Sequence, residues 1–105
     1  MTHLVNYLDI ERMHRIKQGT MDVYLGSVRY KDAVPGDTLV FDVRGERLEA
    51  TIVKVTHCDD YYEVPYHKCR MGWGRCEIYN PEFFYDNASV KENGGLYLLE
   101  FVLNK

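Results

Sequence analysis

The segment GTMDVYLGSVRYKDAVPGD, from Gly19 to Asp37, predicts more about the fold of this chain than any other part of it. Its alternating residues 21–25 indicate a short strand. Its final residues, Val34 to Asp37, have the composition of a tight turn, because proline fixes φ and the following glycine supplies a positive φ. A second segment, LYLLEFVL from Leu96 to Leu103, predicts the closing strand.

The residues upstream of this segment, Tyr7 to Gln18, predict an amphipathic helix of about three turns. Ile10, Met13 and Ile16 recur every three residues and are expected to face the core. Asp9 is a suitable N-cap, and the glycine that opens the segment can adopt the left-handed conformation that ends a helix.

The residues downstream of the turn predict a β-hairpin over residues 38–55, with Gly45 in its loop. Asp37 is expected to bond its own backbone within the turn, as aspartate does in such positions. The predicted core consists of Ile10, Met13, Ile16, Leu39, Phe41, Leu48, Ile52, Leu98 and Phe101.

The composition is that of a soluble single domain. With 105 residues and 46% hydrophobic residues, the chain is long enough to fold without a metal or a disulfide. It contains no membrane span and no signal peptide, so we expect a cytoplasmic protein that has no membrane partner. Three cysteines cannot pair completely and indicate reduced thiols. A net charge of −3 argues against dedicated duplex binding but permits a local basic patch.

The glycine-to-turn segment and the closing strand together resemble the ASCH domain, a member of the PUA-like β-barrels that handle RNA and modified nucleosides. In that family a helix ends at a glycine, a short basic strand follows, and a Gly-Asp turn starts the next strand. Gly19 and Gly36 match these two glycines, with a spacing similar to that of the N4-acetylcytidine amidohydrolases. The resemblance covers residues 8–55 and 94–103. It implies an α+β fold, in which a helix packs on a small, mostly antiparallel PUA-like β-barrel.

The chain departs from the family at the working residues of that motif. The family has Lys two positions, Thr or Glu five positions, and Arg seven positions after the first glycine. This chain has Met21, Tyr24 and Gly26 there. No catalytic residue is carried over by the resemblance, and an enzyme is the less favoured interpretation.

Residues 57–90 lose all periodicity and are predicted to form an irregular insert within the single domain 1–105. The insert is rich in aromatic residues and cysteine, and Asn80 and Pro81 are suited to start a helix in it. Around Trp73, Arg70 and Arg75 supply charge and the neighbouring glycines allow close backbone approach, which is typical of contacts with single-stranded RNA. The alternative is that these aromatic side chains cap one end of the fold.

A metal site is not predicted, and no cofactor is expected. His57, Cys58, His67, Cys69 and Cys76 have the right chemistry for zinc, but their spacing follows no strong ligand pattern. Cysteine is also frequently buried as a small apolar residue.

The function predicted from the sequence is a non-catalytic ASCH-type binding domain that recognises RNA or a nucleotide-like ligand. The expected ligand-binding residues are Tyr24, Arg29, Arg70, Trp73 and Arg75. One alternative is a protein-interaction module that presents the aromatic insert to a protein partner, since interfaces use the same residue types. The other is a divergent amidohydrolase, with Tyr24 and a substituted cation acting on a modified nucleoside.

Overall fold

A computed structural model describes residues 1–8, 10–59, 63 and 87–104. These residues form β1 (Thr2–Val5), α1 (Ile10–Gln18), β2 (Val23–Gly26), β3 (Thr38–Val43), β4 (Glu46–Cys58), α2 (Asn87–Glu92) and β5 (Leu96–Leu103). A short 3₁₀ helix, Val28–Tyr30, follows β2. The predicted α+β class is confirmed.

The five strands form one mixed sheet in the order β1-β3-β4-β5-β2. β3 pairs antiparallel with β4, and β5 pairs antiparallel with both β4 and β2. β1 is parallel to β3. Among the described strands β1 and β2 are the two edges of the sheet, so the barrel that we expected is not confirmed.

The predicted hairpin is present and is longer than expected. β3 and β4 are joined by Arg44 and Gly45, whose φ values of 54° and 82° suit a two-residue turn of the type that matches strand twist. The predicted turn before β3 is also confirmed, because Gly36 has a φ of 97° and the Asp37 amide donates to the Val34 carbonyl at 3.1 Å. β4 continues to Cys58, so the first two residues of the predicted insert belong to a strand.

The main core lies between α1 and one face of the sheet, which we call the inner face. Met13 and Ile16 of α1 pack there with Leu39, Phe41 and Phe101 of the strands. The opposite face is also buried along the middle of the sheet, at Val23, Leu25, Leu96 and Leu98. Burial on both faces explains the nearly continuous apolar runs in β2 and β5.

The helix prediction was correct at its C-terminal end and wrong at its start, which is Ile10 rather than Tyr7, and in part of its face. The predicted N-cap, Asp9, lies outside the described residues. α1 ends at Gln18, and Gly19 follows with a φ of 80°. Ile10, which we expected in the core, is 64% exposed. Ile10 is the first residue of the helix. Residues three positions apart differ by about 60° in direction around the helix axis, so a repeat of three turns gradually away from the core. Leu8, which is 2% exposed, fills the core position instead.

The remaining core predictions are confirmed, with Leu48 only half-buried at the edge of the cluster. β1, a strand of four residues, and α2 were not predicted from the sequence. The predicted helix start at Asn80 lies outside the described residues. Within the part of the chain that the structure describes, no helix has the length and apolar character needed to cross a membrane.

Candidate functional site

Tyr24 lies on the inner face of the sheet, where β2 places it opposite Leu99 of β5. Its ring packs edge-on against two other rings. The centroid of Tyr30 is 5.6 Å away at an interplanar angle of 77°, and that of Phe41 is 6.1 Å away at 78°. Edge-to-face contacts of this kind stabilise aromatic clusters beyond their buried area. Tyr24 therefore has a position set by aromatic packing.

Tyr30 fills the space above Gly26 on the inner face. A Cβ built on Gly26 would collide with the Tyr30 ring, whose Cε2 would be 2.8 Å away. The Tyr30 hydroxyl donates to the carbonyl of Leu4 in β1, at 3.0 Å. β1 and β2 are opposite edges of the sheet, so Tyr30 joins the two edges through the segment that follows β2.

The three positions that the resemblance to the ASCH motif singled out are thus occupied by groups that carry no charge. Met21 is 2% exposed and belongs to the core cluster. Tyr24 is half-buried among aromatic rings, and the side-chain space at Gly26 is taken by Tyr30. Hydrolysis of an amide needs a general base and a group that stabilises the developing oxyanion. Met21 and Gly26 supply neither, and among the three positions only the hydroxyl of Tyr24 can donate a hydrogen bond.

Arg29 is exposed and lies over the same aromatic group. Its guanidinium carbon is 5.8 Å from the centroid of the Tyr30 ring, within the range of a cation–π contact. The 3₁₀ helix that carries it is capped by Ser27, whose side chain accepts from the Arg29 amide. The structure thus brings the predicted Tyr24 and Arg29 to one ring, that of Tyr30. Arg70, Trp73 and Arg75 lie outside the described residues.

His57 and Tyr97 form a second aromatic pair, which the sequence analysis did not identify as a binding site. Their rings stack with centroids 4.7 Å apart and an interplanar angle of 24°. They are direct partners in the β4–β5 register, and Tyr97 in turn pairs with Gly26. The Tyr24–Tyr30 pair and the His57–Tyr97 pair therefore lie at the same end of the sheet.

The glycine turn before β5 fixes the orientation of the His57 ring. The Nε2 atom of His57 lies 2.6 Å from the carbonyl oxygen of Gly94. Because a carbonyl can only accept, Nε2 is the donor. Gly95 has a φ of 93°, and a Cβ there would collide with the carbonyl of Cys58 and lie 2.8 Å from the His57 Nε2. Glycine is thus required for the turn to approach β4 this closely.

Asp37 is the centre of a polar cluster at the start of β3. One of its oxygens accepts from the Val34 amide at 3.2 Å, as predicted for the turn, and also lies 2.8 Å from Nε2 of His3. The other oxygen lies 3.2 Å from the amino group of Met1. The hydrogen bond from His3 is the main cause that lowers the pKa of Asp37 from 3.8 to about 2. Asp37 thus joins β1 to the turn, a role that the sequence did not reveal because His3 lies in the missed strand.

The metal-ligand candidates are only partly described. Cys58 is buried, while His67, Cys69 and Cys76 lie outside the described residues. Within residues 1–8, 10–59, 63 and 87–104, no three His, Cys, Asp or Glu side chains come together as a metal site would require.

The fold and these contacts define a small α+β domain with an aromatic group at one end of a mixed sheet. Two solved structures share this fold over nearly the whole chain. The crystal structure of the hypothetical protein PH0355 superposes with a TM-score of 0.79 and 17% identity, and the alignment covers 99% of this chain and 100% of that one. The solution structure of protein PF0455 from Pyrococcus furiosus gives a TM-score of 0.68 and 17% identity, covering 100% and 99% of the two chains.

No protein-family model matches the chain, and no curated protein matches its sequence. At 17% identity the two structural neighbours share the fold and carry no information about function.

Proposed function

We propose that this chain is a non-catalytic binding domain of the ASCH type, within the PUA-like group, that recognises RNA or a nucleotide-like ligand. The observation that supports the proposal is the position of the exposed Arg29 over Tyr30, whose ring also contacts Tyr24. A planar guanidinium beside aromatic rings is a common arrangement for holding phosphate and base together.

The packing around β2 supports a binding role rather than catalysis. The positions at which the resembling family has its working residues, 21, 24 and 26, contain a buried Met, a packed Tyr and a Gly. Tyr30 occupies the volume that a longer side chain at position 26 would use. This arrangement supports a site at which a ligand contacts Arg29 and the half-buried Tyr24.

An amide NMR titration with short single-stranded RNA tests this function. We expect shifts in residues 24–30, and we expect Arg29→Ala to weaken binding because one phosphate contact is lost. The slope of log K against log salt should fall by about 0.7, the value for one phosphate of a single strand. Lys31→Ala is the matched control, because Lys31 is an exposed cation two positions further along the same segment.

Two results would contradict the proposal. Absence of shifts at millimolar RNA, cytidine and N4-acetylcytidine would favour a protein partner that contacts Tyr61, Tyr62, Tyr66 or Trp73, all outside the described residues. Release of acetate from N4-acetylcytidine that is abolished by Tyr24→Phe would instead favour the amidohydrolase.

A further inference from the structure

The His57 ring is held in place and remains partly open. Tyr97 covers one of its faces, and Gly94 accepts the hydrogen bond from its Nε2 edge. The side chain nevertheless retains 44% of its accessible surface. Among residues 1–8, 10–59, 63 and 87–104, no stacking contact covers the second face, so we assign the exposed surface to this face and the Nδ1 edge. An ordered ring with one open face loses little conformational entropy when a second planar group stacks on it.

The position of His57 in the sheet keeps that second face free of neighbouring strands. β3 begins at Thr38, which pairs with Thr51 of β4. Beyond this point the residues of β4 up to Cys58 pair with β5 alone, within the part of the sheet that the structure describes. The open face of His57 therefore points to the side on which β3 has already ended.

Asp59 places a carboxylate beside the open edge of the ring. Its Oδ1 is 3.9 Å from Nδ1 of His57, and its side chain is 80% exposed. The distance is too long for a direct hydrogen bond. A carboxylate only accepts hydrogen bonds, so this atom favours a ligand with an N–H donor at its edge and repels a phosphate.

We propose that the open face of His57 is a stacking platform for a neutral nucleobase whose exocyclic amino group donates to Asp59. The inference deepens the proposed function and rests on it. It assigns the base to the His57 platform and leaves the phosphate to Arg29. Stacking on the His57 ring does not depend on the identity of the base, whereas the Asp59 carboxylate selects bases that carry an amino group.

A comparison of cytosine with uracil separates stacking on His57 from the hydrogen bond to Asp59. Cytosine has an amino group at C4 that can donate to a carboxylate, whereas uracil has a carbonyl oxygen there. Both rings stack equally well on an imidazole. The platform should therefore bind cytidine more tightly than uridine, and Asp59 should account for the difference.

Titration of the labelled full chain with cytidine and uridine tests the platform, because neither nucleoside has a phosphate to engage Arg29. We expect cytidine to shift the His57 ring signals and the amides of Gly94, Gly95 and Tyr97. Uridine should bind roughly fivefold more weakly, as expected when one exposed edge hydrogen bond is lost. Asp59→Asn should reduce that ratio to about one, because the amide can donate to uracil as well as accept from cytosine.

Two histidine variants complete the test. His57→Ala should abolish the shifts from both nucleosides, whereas His14→Ala, which alters an exposed histidine of α1, should preserve them. Asp59→Asn remains decisive if His57→Ala disturbs the glycine turn.

Equal affinity for cytidine and uridine in the wild type would overturn the proposal. Shifts that avoid His57, Gly94 and Tyr97 would do the same and leave Arg29-dependent RNA binding intact. If neither nucleoside nor RNA binds, the proposed function fails together with the platform.

Discussion

The two ends of the inner face differ in the side chains that fill them. At the helix end, Met13 and Ile16 of α1 pack in the same cluster as Val43 and Phe101, and all four are at most 6% exposed. At the other end the face contains Tyr24, Tyr30, His57 and Tyr97, and three of these four are only partly buried. We call this second end the aromatic end.

The polar atoms of the aromatic end explain how it stays ordered. The hydroxyl of Tyr30 donates to the carbonyl of Leu4, and Nε2 of His57 donates to the carbonyl of Gly94. Each ring is therefore fixed by a backbone group from a distant part of the chain. Burial by α1 therefore stabilises one end, whereas hydrogen bonds to the backbone hold the buried Tyr30 ring and the exposed His57 ring in place at the other.

Replacement of Phe41 should have the largest effect, because this residue joins the two ends. Its ring is fully buried and contacts both Phe101 and Tyr24. We expect Phe41→Ala to lower the free energy of unfolding by about 3–5 kcal/mol. Chemical denaturation followed by tryptophan fluorescence and circular dichroism would measure the loss.

Val53→Ala is the control for this experiment. Val53 lies at the register shift of β4 and is 52% exposed, so its truncation should change stability by less than about 0.5 kcal/mol. A loss of similar size in both variants would show that Phe41 does not join the two ends.

Substitution of Gly26 should have the second largest effect on stability, and it should act through the aromatic end alone. A methyl group there overlaps the Tyr30 ring, so Gly26→Ala should lower the free energy of unfolding by about 1–3 kcal/mol. The same change should displace Tyr30 and shift the amide signals of β1, where Leu4 accepts its hydrogen bond.

Gly19→Ala separates steric overlap from backbone strain. Gly19 has a φ of 80° but open space around it, so its substitution should cost about 1 kcal/mol and leave the signals of β1 unchanged. If Tyr30→Leu fails to relieve the cost of Gly26→Ala, overlap with this ring is not the cause.

The elements that could be predicted from the sequence depend on local chemistry. Gly19 ends α1, Gly36 shapes the turn, and Gly45 lies in the hairpin loop, because each position needs a positive φ that glycine adopts without strain. The alternation of Leu39 and Phe41 similarly indicated the inner face. These signals extend over a few residues and do not depend on which strands become neighbours.

The site could be predicted only in part, because it depends on strand order. Tyr24 and Arg29 were identified from their place in the glycine-to-turn segment. The role of Tyr30 was missed because it becomes apparent only when β1 and β2 are known to be opposite edges. The contact of His57 with Gly94 joins residues 37 positions apart, and no local pattern indicates such a pairing.

The smallest effect should come from Asp37, and it should disappear in acid. The pKa of this carboxyl is about 2 in the folded chain, below its ordinary value of 3.8, chiefly because of the hydrogen bond from His3. A lowered pKa means that the carboxylate stabilises the fold above about pH 4, and that this contribution is lost as the pH falls from 4 through 2. Denaturation at pH 5, 4, 3 and 2 should therefore show wild type and Asp37→Asn converging in stability as the pH falls.

Asp32→Asn changes an exposed carboxyl of the same loop and should stay parallel to the wild type throughout. If the stability of Asp37→Asn also stays parallel to that of the wild type, the contact between β1 and the turn does not depend on the charge of Asp37. The shape of the residue alone would then hold β1 against the turn.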